Sequence, residues 1–303
     1  MHTKPLQAVR DSRCPRTRAI RGCTKGVAWE LWLRAPMPEH AGLLAGLWAG
    51  DADSDSSRHR LIPDGEMWLM FNLGPPQRVN EVNGAGRGQI YRGAIIAGLQ
   101  STSLSFESVD RHPCVVTARF LPRGALAFFA GLPLQELAGH VYDLESVLGG
   151  RARVEPLRQR LMEAPDPGCA LDLLEAWITD RIRTGPSAHP VTRIALNSLR
   201  SQRGVVRVEE LARDPGVTPR YLNDLFRRQV GLSPKSLARV LRFNHALDLL
   251  DTGGAADLVR LAQACGYFDQ SHLNRDFRDL LDLTPIEYVA RVFRAPGWRE
   301  IGD

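Results

Sequence analysis

The chain has 303 residues, 44% hydrophobic and 24% charged, with a net charge of +5 and a pI of about 9.2. That is enough apolar material for two domains with buried cores, and the small positive excess is compatible with nucleic-acid binding without arguing for it. No run reaches the roughly 18 to 20 apolar residues of a bilayer span, the arginine-bearing start lacks the apolar core of a signal peptide, and Cys14, Cys23, Cys114, Cys169 and Cys265 are scattered and odd in number. These features argue against a membrane protein and a disulfide-stapled one, and the reducing cytoplasm is the expected location.

Residues 1–28 hold Lys4, Arg10, Arg13, Arg16, Arg18, Arg21 and Lys25 against the single acid Asp11. With little apolar periodicity they read as a disordered basic extension that tethers weakly to DNA by charge, or as the product of a start codon set too far upstream. From 29 to 121 the texture is β-like, with runs at 58–62, 66–73, 89–100, 104–108 and 115–121 punctuated by glycine and proline. Pro63-Asp64-Gly65 reads as a turn before it reads as an effector contact. Residues 124–130, 154–162 and 170–182 read as helices, the last carrying Leu171, Leu174, Ile178 and Ile182 along one stripe. That stripe predicts either closure of the N-terminal core or the seam of a homodimer. Residues 29–184 are thus expected to form an α+β domain, a curved β-sheet followed by helices, and 185–190, with two prolines, an extended hinge.

Gly84-Ala85-Gly86-Arg87-Gly88 lacks the spacing of a dinucleotide fingerprint and reads as a loop. Trp48, Trp68, Phe71, Tyr91, Phe128 and Phe129 read first as core and second as the lining of a small-molecule pocket. No carboxylate pair, metal-spaced cysteine cluster or Ser-His-Asp arrangement stands out, so no catalysis, metal or cofactor is expected.

Beyond residue 190 the pattern is helical and duplicated. Leu211, Ala212 and Gly216 correspond to Leu261, Ala262 and Gly266 at an offset of 50. Past the turn the offset becomes 51, pairing Leu222, Phe226, Leu232 and Pro234 with Leu273, Phe277, Leu283 and Pro285. Two copies of helix, tight turn and helix, joined by a helix over 233–251, predict an all-α domain over 191–294 with two helix-turn-helix units and a tail at 295–303. Asp269 is placed to cap the second outward helix. Arg227, Arg228, Lys235, Arg239 and Arg278 are suited to clamp phosphate.

Several runs carry a resemblance: Val208-Glu209-Glu210-Leu211-Ala212, Gly216-Val217-Thr218-Pro219-Arg220-Tyr221-Leu222, Phe226 through Pro234, Arg242 with Ala246 and Leu250, and Gly266-Tyr267 with Asp269-Gln270-Ser271-His272-Leu273. Together they resemble the DNA-binding domain of the AraC/XylS family of bacterial transcription regulators, with two departures, Pro215 in the first turn and Asp282 where a glycine is usual. The resemblance implies base reading by Arg220, Asn223 and Asp224 on the first helix and by Gln270, Ser271, His272, Asn274 and Arg275 on the second. The second set is richer in groups that pair bidentately with guanine or adenine. It also implies two helices in successive major-groove turns, roughly 34 to 36 Å apart. Residues 59–65, with 71–74 and 120–125, resemble an uncharacterised sensing domain often found ahead of such heads, although Arg123 stands where a glycine is commoner.

The expectation is a sequence-specific DNA-binding transcription regulator whose partners are double-stranded promoter DNA, RNA polymerase and an unidentified small-molecule effector at the N-terminal domain. One alternative is a constitutive DNA binder whose N-terminal domain only dimerises. A second is a DNA-repair alkyl-transfer protein with an AraC-like head behind a zinc-thiolate module, against which the isolated cysteines argue.

Overall fold

The computed structural model describes residues 7–10, 14–24, 27–52, 58–81, 88–110, 114–130, 132–252, 257–295 and 298–301. The N-terminal part contains strands β1 (Gln7–Arg10), β2 (Thr17–Thr24), β3 (Val27–Arg34), β4 (Leu44–Ala52), β5 (Arg58–Leu61), β6 (Met67–Asn72), β7 (Gln77–Glu81), β8 (Gln89–Tyr91), β9 (Ala94–Ala97), β10 (Leu104–Ser108) and β11 (Cys114–Phe120). Helix α1 (Pro122–Phe128), strand β12 (Val141–Asp143) and helices α2 (Leu144–Leu148), α3 (Glu155–Met162) and α4 (Pro167–Arg183) follow. One antiparallel sheet has the order β1-β2-β3-β4-β11-β6-β9-β12, and a smaller one has the order β5-β10-β7-β8.

Residues paired directly across strands share a face. Ala49, Val116, Phe71 and Ala94 form one such row and are buried in a core with α1 and α4, where Phe71 and Phe128 meet Trp177 edge-on at 5.9 and 5.3 Å. The opposite row, Trp48, Thr117, Met70 and Ile95, faces the other way, and Ile95 packs with Leu61, Val79 and Phe106 of the small sheet. Of the six candidate pocket aromatics, Trp48, Phe71, Tyr91, Phe128 and Phe129 are buried and Trp68 half-buried.

The described part of residues 1–28 corrects the expectation of a disordered extension. β2 pairs along its full length with β3, and Thr17, Ala19 and Ile20 are buried. Arg16 meets Glu175 with both guanidinium nitrogens at 2.9 Å, while buried Arg34 bonds Thr17 and the Gly168 carbonyl and pairs with Asp172. These contacts pin α4 onto the sheet, because a buried carboxylate such as Glu175 is tolerated only when its charge is matched. The stripe Leu171, Leu174, Ile178 and Ile182 is spent in the same core, so the homodimer seam is ruled out for that face. The Gly84 to Arg87 part of the glycine-rich loop lies outside the described residues.

The C-terminal part contains α5 (Pro190–Ser201), α6 (Val208–Arg213), α7 (Pro219–Val230), α8 (Pro234–Asp251), α9 (Leu258–Ala264), α10 (Gln270–Leu281) and α11 (Pro285–Arg291). A hairpin of β13 (Val292–Ala295) and β14 (Trp298–Ile301) runs from the last residues of the span expected to be helical into the expected tail at 295–303. The expected hinge is packed rather than loose. A Cβ on Gly185 would lie 1.9 Å from the Ala127 carbonyl oxygen, and the His189 N–H donates to Gln229 at 3.0 Å. Leu211, Leu222, Phe226 and Leu237 belong to the same apolar cluster as Phe120 and Leu134, whereas Phe243, Leu273, Phe277 and Tyr288 form a second core that Ile62 joins.

Candidate nucleic-acid interface

The two outward helices are started by the same local chemistry. Gly216 and Gly266 take φ of 69° and 70°, a left-handed turn that glycine adopts without strain. Next to them the Val217 and Tyr267 N–H groups donate to the Ala212 and Ala262 carbonyls at 3.0 and 2.9 Å. Thr218 and Asp269 then cap α7 and α10 by accepting from the Tyr221 and His272 N–H groups. The caps are 51 residues apart and the turns 50, so Phe268 is the additional residue, and its side chain is 91% exposed. Between the units α8, 18 residues long and capped by Ser233, spans about 27 Å at the rise of an α-helix.

Leu222, Leu225, Phe226 and Val230 lock α7 inward, leaving Arg220, Asp224, Arg227 and Arg228 exposed and Asn223 half-buried. Leu273, Phe277, Leu280 and Leu281 do the same for α10, leaving Ser271, Arg275 and Arg278 exposed and Gln270 and His272 half-buried. The His272 ring also stands edge-on to Tyr267 at 5.2 Å. Lys235 is exposed in the first turn of α8.

Two expected contacts sit differently. Arg239 is committed within the protein, its Nε bonding Asp276 at 2.7 Å and a terminal nitrogen bonding Asp279 at 2.5 Å, which braces α8 against α10 and occupies the fork a phosphate would need. Asn274 is half-buried, and its Oδ1 is buried with no hydrogen-bond partner among the described residues, so it does not lie on the fully outward arc.

The N-terminal part touches both units. The turn expected at Pro63-Asp64-Gly65 is present, with Gly65 at φ 77° and Asp64 accepting from the Glu66 N–H and the Trp68 indole. It lies against α8: the Pro63 carbonyl accepts from Asn244, and a Cβ on Gly65 would be 3.0 Å from Leu237. Arg119 contacts Glu66 at 2.8 Å and stacks over Trp68. Burial raises the Asp64 carboxyl and pushes Glu66 up to about 8, with the Asp64 charge adding to the effect and Arg119 and Arg200 opposing it. Arg200 comes from α5, so this charged cluster spans the contact between the two parts. No local sequence signal marks such contacts; the Asn244 bond to Pro63 alone joins residues 181 positions apart.

A cavity of about 470 Å³ opens at the β2, β3 and β4 end of the large sheet. Arg16, Arg18, Arg34 and Arg119 line it with Leu33 and Trp48, although the Arg16, Arg34 and Arg119 guanidiniums are paired with Glu175, Asp172 and Glu66. Among the described residues no three His, Cys, Asp or Glu side chains converge as a metal site, and burial pushes the Cys265 thiol up to about 11, which keeps it from acting as a thiolate near neutral pH. No helix of the described residues is long and apolar enough to cross a membrane.

Residues 211–291 match the family model described as a helix-turn-helix domain, and residues 34–143 match a domain of unknown function (DUF6597). No curated protein matches the chain. Among solved structures it is similar to ToxT of Vibrio cholerae strain SCE256 with unsaturated fatty acid bound, at 10% identity and a TM-score of 0.44, over 80% of this chain and 93% of that one. It is similar to ToxT of Vibrio cholerae in a P21 crystal form at 9% identity and a TM-score of 0.46, over 78% and 97%. The C-terminal domain of AraT, a response regulator from Geobacillus stearothermophilus, is similar at 22% identity and a TM-score of 0.32, over 34% and 86%.

Proposed function

We propose that this chain, in which an AraC-type helix-turn-helix domain stands behind a domain of unknown function, is a sequence-specific DNA-binding transcription regulator of the cytoplasm. Its occupancy of promoter DNA is modulated by an effector at the N-terminal part. The observation that carries the reading is the pair of equivalently capped helices, α7 and α10, each with its apolar face buried and basic side chains on the other. Arg220, Asn223 and Asp224, with Gln270, Ser271, His272 and Arg275, are the proposed base readers, while Arg227, Arg228, Lys235 and Arg278 meet phosphate. Because one chain supplies both helices, two-site reading does not require a homodimer; RNA polymerase remains the partner through which bound protein would act. The test is binding of the full chain to a random-sequence duplex pool across a salt series. Selective enrichment is expected, with log affinity falling against log salt by about 0.9 per phosphate neutralised. A folded chain that enriches no sequence sinks the reading.

For the effector, the cavity supports an anion with an apolar body, met by Arg18 beside Leu33 and Trp48; the other three lining arginines, Arg16, Arg34 and Arg119, are paired with Glu175, Asp172 and Glu66. Octanoate and benzoate are suitable probes. Either should raise the melting temperature of the full chain and lose that effect in Arg18→Gln; equal shifts in both proteins would remove the cavity from consideration.

A further inference from the structure

The last carbonyls of an α-helix have no partner within it and must find one elsewhere. In α10 two of these carbonyls are met by residues of the N-terminal part. The Leu280 carbonyl accepts from the Ser103 N–H at 3.0 Å and from the Ser103 hydroxyl, and the Leu281 carbonyl accepts from the Arg60 guanidinium at 2.8 Å. Asp282 ends the helix at φ 56°, in a conformation that exposes these carbonyls. A cation at this end also meets the negative pole of the helix dipole. Arg60 lies on β5, the edge strand of the small sheet, and Ser103 immediately precedes β10, its neighbour in that sheet.

The same N-terminal body holds the other unit independently. α7 packs on α1 and on the turn of helix at Leu134–Glu136, and Gly231 at its end approaches so closely that a Cβ would lie 3.0 Å from the Leu134 carbonyl oxygen. We infer that the N-terminal part is a clamp that sets the separation of the two DNA-reading helices, with Arg60 and Ser103 as positioning residues that hold α10 by its C-terminal carbonyls. The inference rests on the DNA-reading assignment for its consequence but not for the clamp itself. Without the clamp, α8 alone would space the units, and the second would be free to shift against the first.

The test uses the full chain in two arms. In the first, backbone hydrogen exchange is followed without DNA in the wild type, in Arg60→Gln with Ser103→Ala, and in Arg60→Lys. Losing the Arg60 and Ser103 side-chain bonds, with the Ser103 N–H bond to the Leu280 carbonyl retained, should speed exchange at Leu280, Leu281 and Asp282 by about tenfold or more while Leu225 and Phe226 in α7 stay protected. Arg60→Lys, which keeps a cation at this helix end, should show a smaller effect. Unchanged exchange at Leu280 to Asp282 in the double variant overturns the clamp. In the second arm, a duplex enriched by the wild type is compared with the same duplex lengthened by one base pair between the two contacted segments. The wild type should discriminate strongly and the double variant at least threefold less. Equal discrimination overturns the spacing role. If the wild type enriches no duplex, the DNA-reading assignment fails while the exchange arm still decides the clamp.

Discussion

Arg275 and Arg278 lie three residues apart on α10 and are both exposed, and the proposed DNA reading gives them different work. Arg275 follows Ser271 by one helical turn, on the arc that starts at the capped end, whereas Arg278 is about a turn nearer the C-terminus. Arg275→Ala should cost about 1 to 3 kcal/mol on an enriched duplex and relax preference at one base pair. Arg278→Ala should weaken all duplexes alike and reduce the steepness of the salt dependence by about one in the log-log slope. A ratio of enriched to random affinity that survives Arg275→Ala would remove that residue from the readers. Helical spacing made the exposed positions of these two legible in the sequence. It did not reveal Arg239, because Asp276 and Asp279 belong to the neighbouring helix, nor the burial of Asn274, which depends on where α8 and α9 pack.

At the scale of elements, legibility followed the range of the interactions that start each one. α7, α8 and α10 begin at Thr218, Ser233 and Asp269, each bonding an N–H three residues on, so the signal is contained within four positions. β2 shows the opposite. Its buried Thr17, Ala19 and Ile20 are interleaved with Arg18 and Arg21, and neighbouring Arg16 finds its carboxylate 159 residues away, so nothing local separates this strand from a basic tail. α1 is held by close backbone approach. A Cβ on Gly124 would stand 2.0 Å from the Leu43 carbonyl oxygen, while one on Gly93 would meet nothing within 4 Å. Gly124→Ala should therefore cost several kcal/mol in urea unfolding, on the order of 3, and Gly93→Ala well under about 1. Similar losses for the two variants would mean that α1 can move off the 43–44 segment at little cost, which the clamp on α7 does not allow.

Across the whole molecule the N-terminal part and the head share one apolar cluster and one charged cluster, so they should respond to pH together. Glu66 is the sensitive group. It is half-buried beside Asp64, faces Arg119 across 2.8 Å and Arg200 from α5, and is pushed from 4.5 up to about 8, first by desolvation. A carboxyl whose pKa is raised by folding binds its proton more tightly in the native state than in the unfolded one. Its contribution is therefore fully present below about pH 4.5, declines as the unfolded chain ionises and the native chain does not, and levels off above about pH 8. The loss over that window is on the order of a few kcal/mol, because each tenfold change in proton affinity corresponds to about 1.4 kcal/mol and the two arginines offset part of the burial. Glu66→Gln keeps the shape and the neutral state, so its melting temperature should match the wild type near pH 5 and exceed it near pH 8. Melting curves of both proteins at the two pH values measure the difference directly. If the wild type and Glu66→Gln lose the same stability between them, Glu66 is already ionised in the folded protein and the cluster is held as a matched set of charges instead.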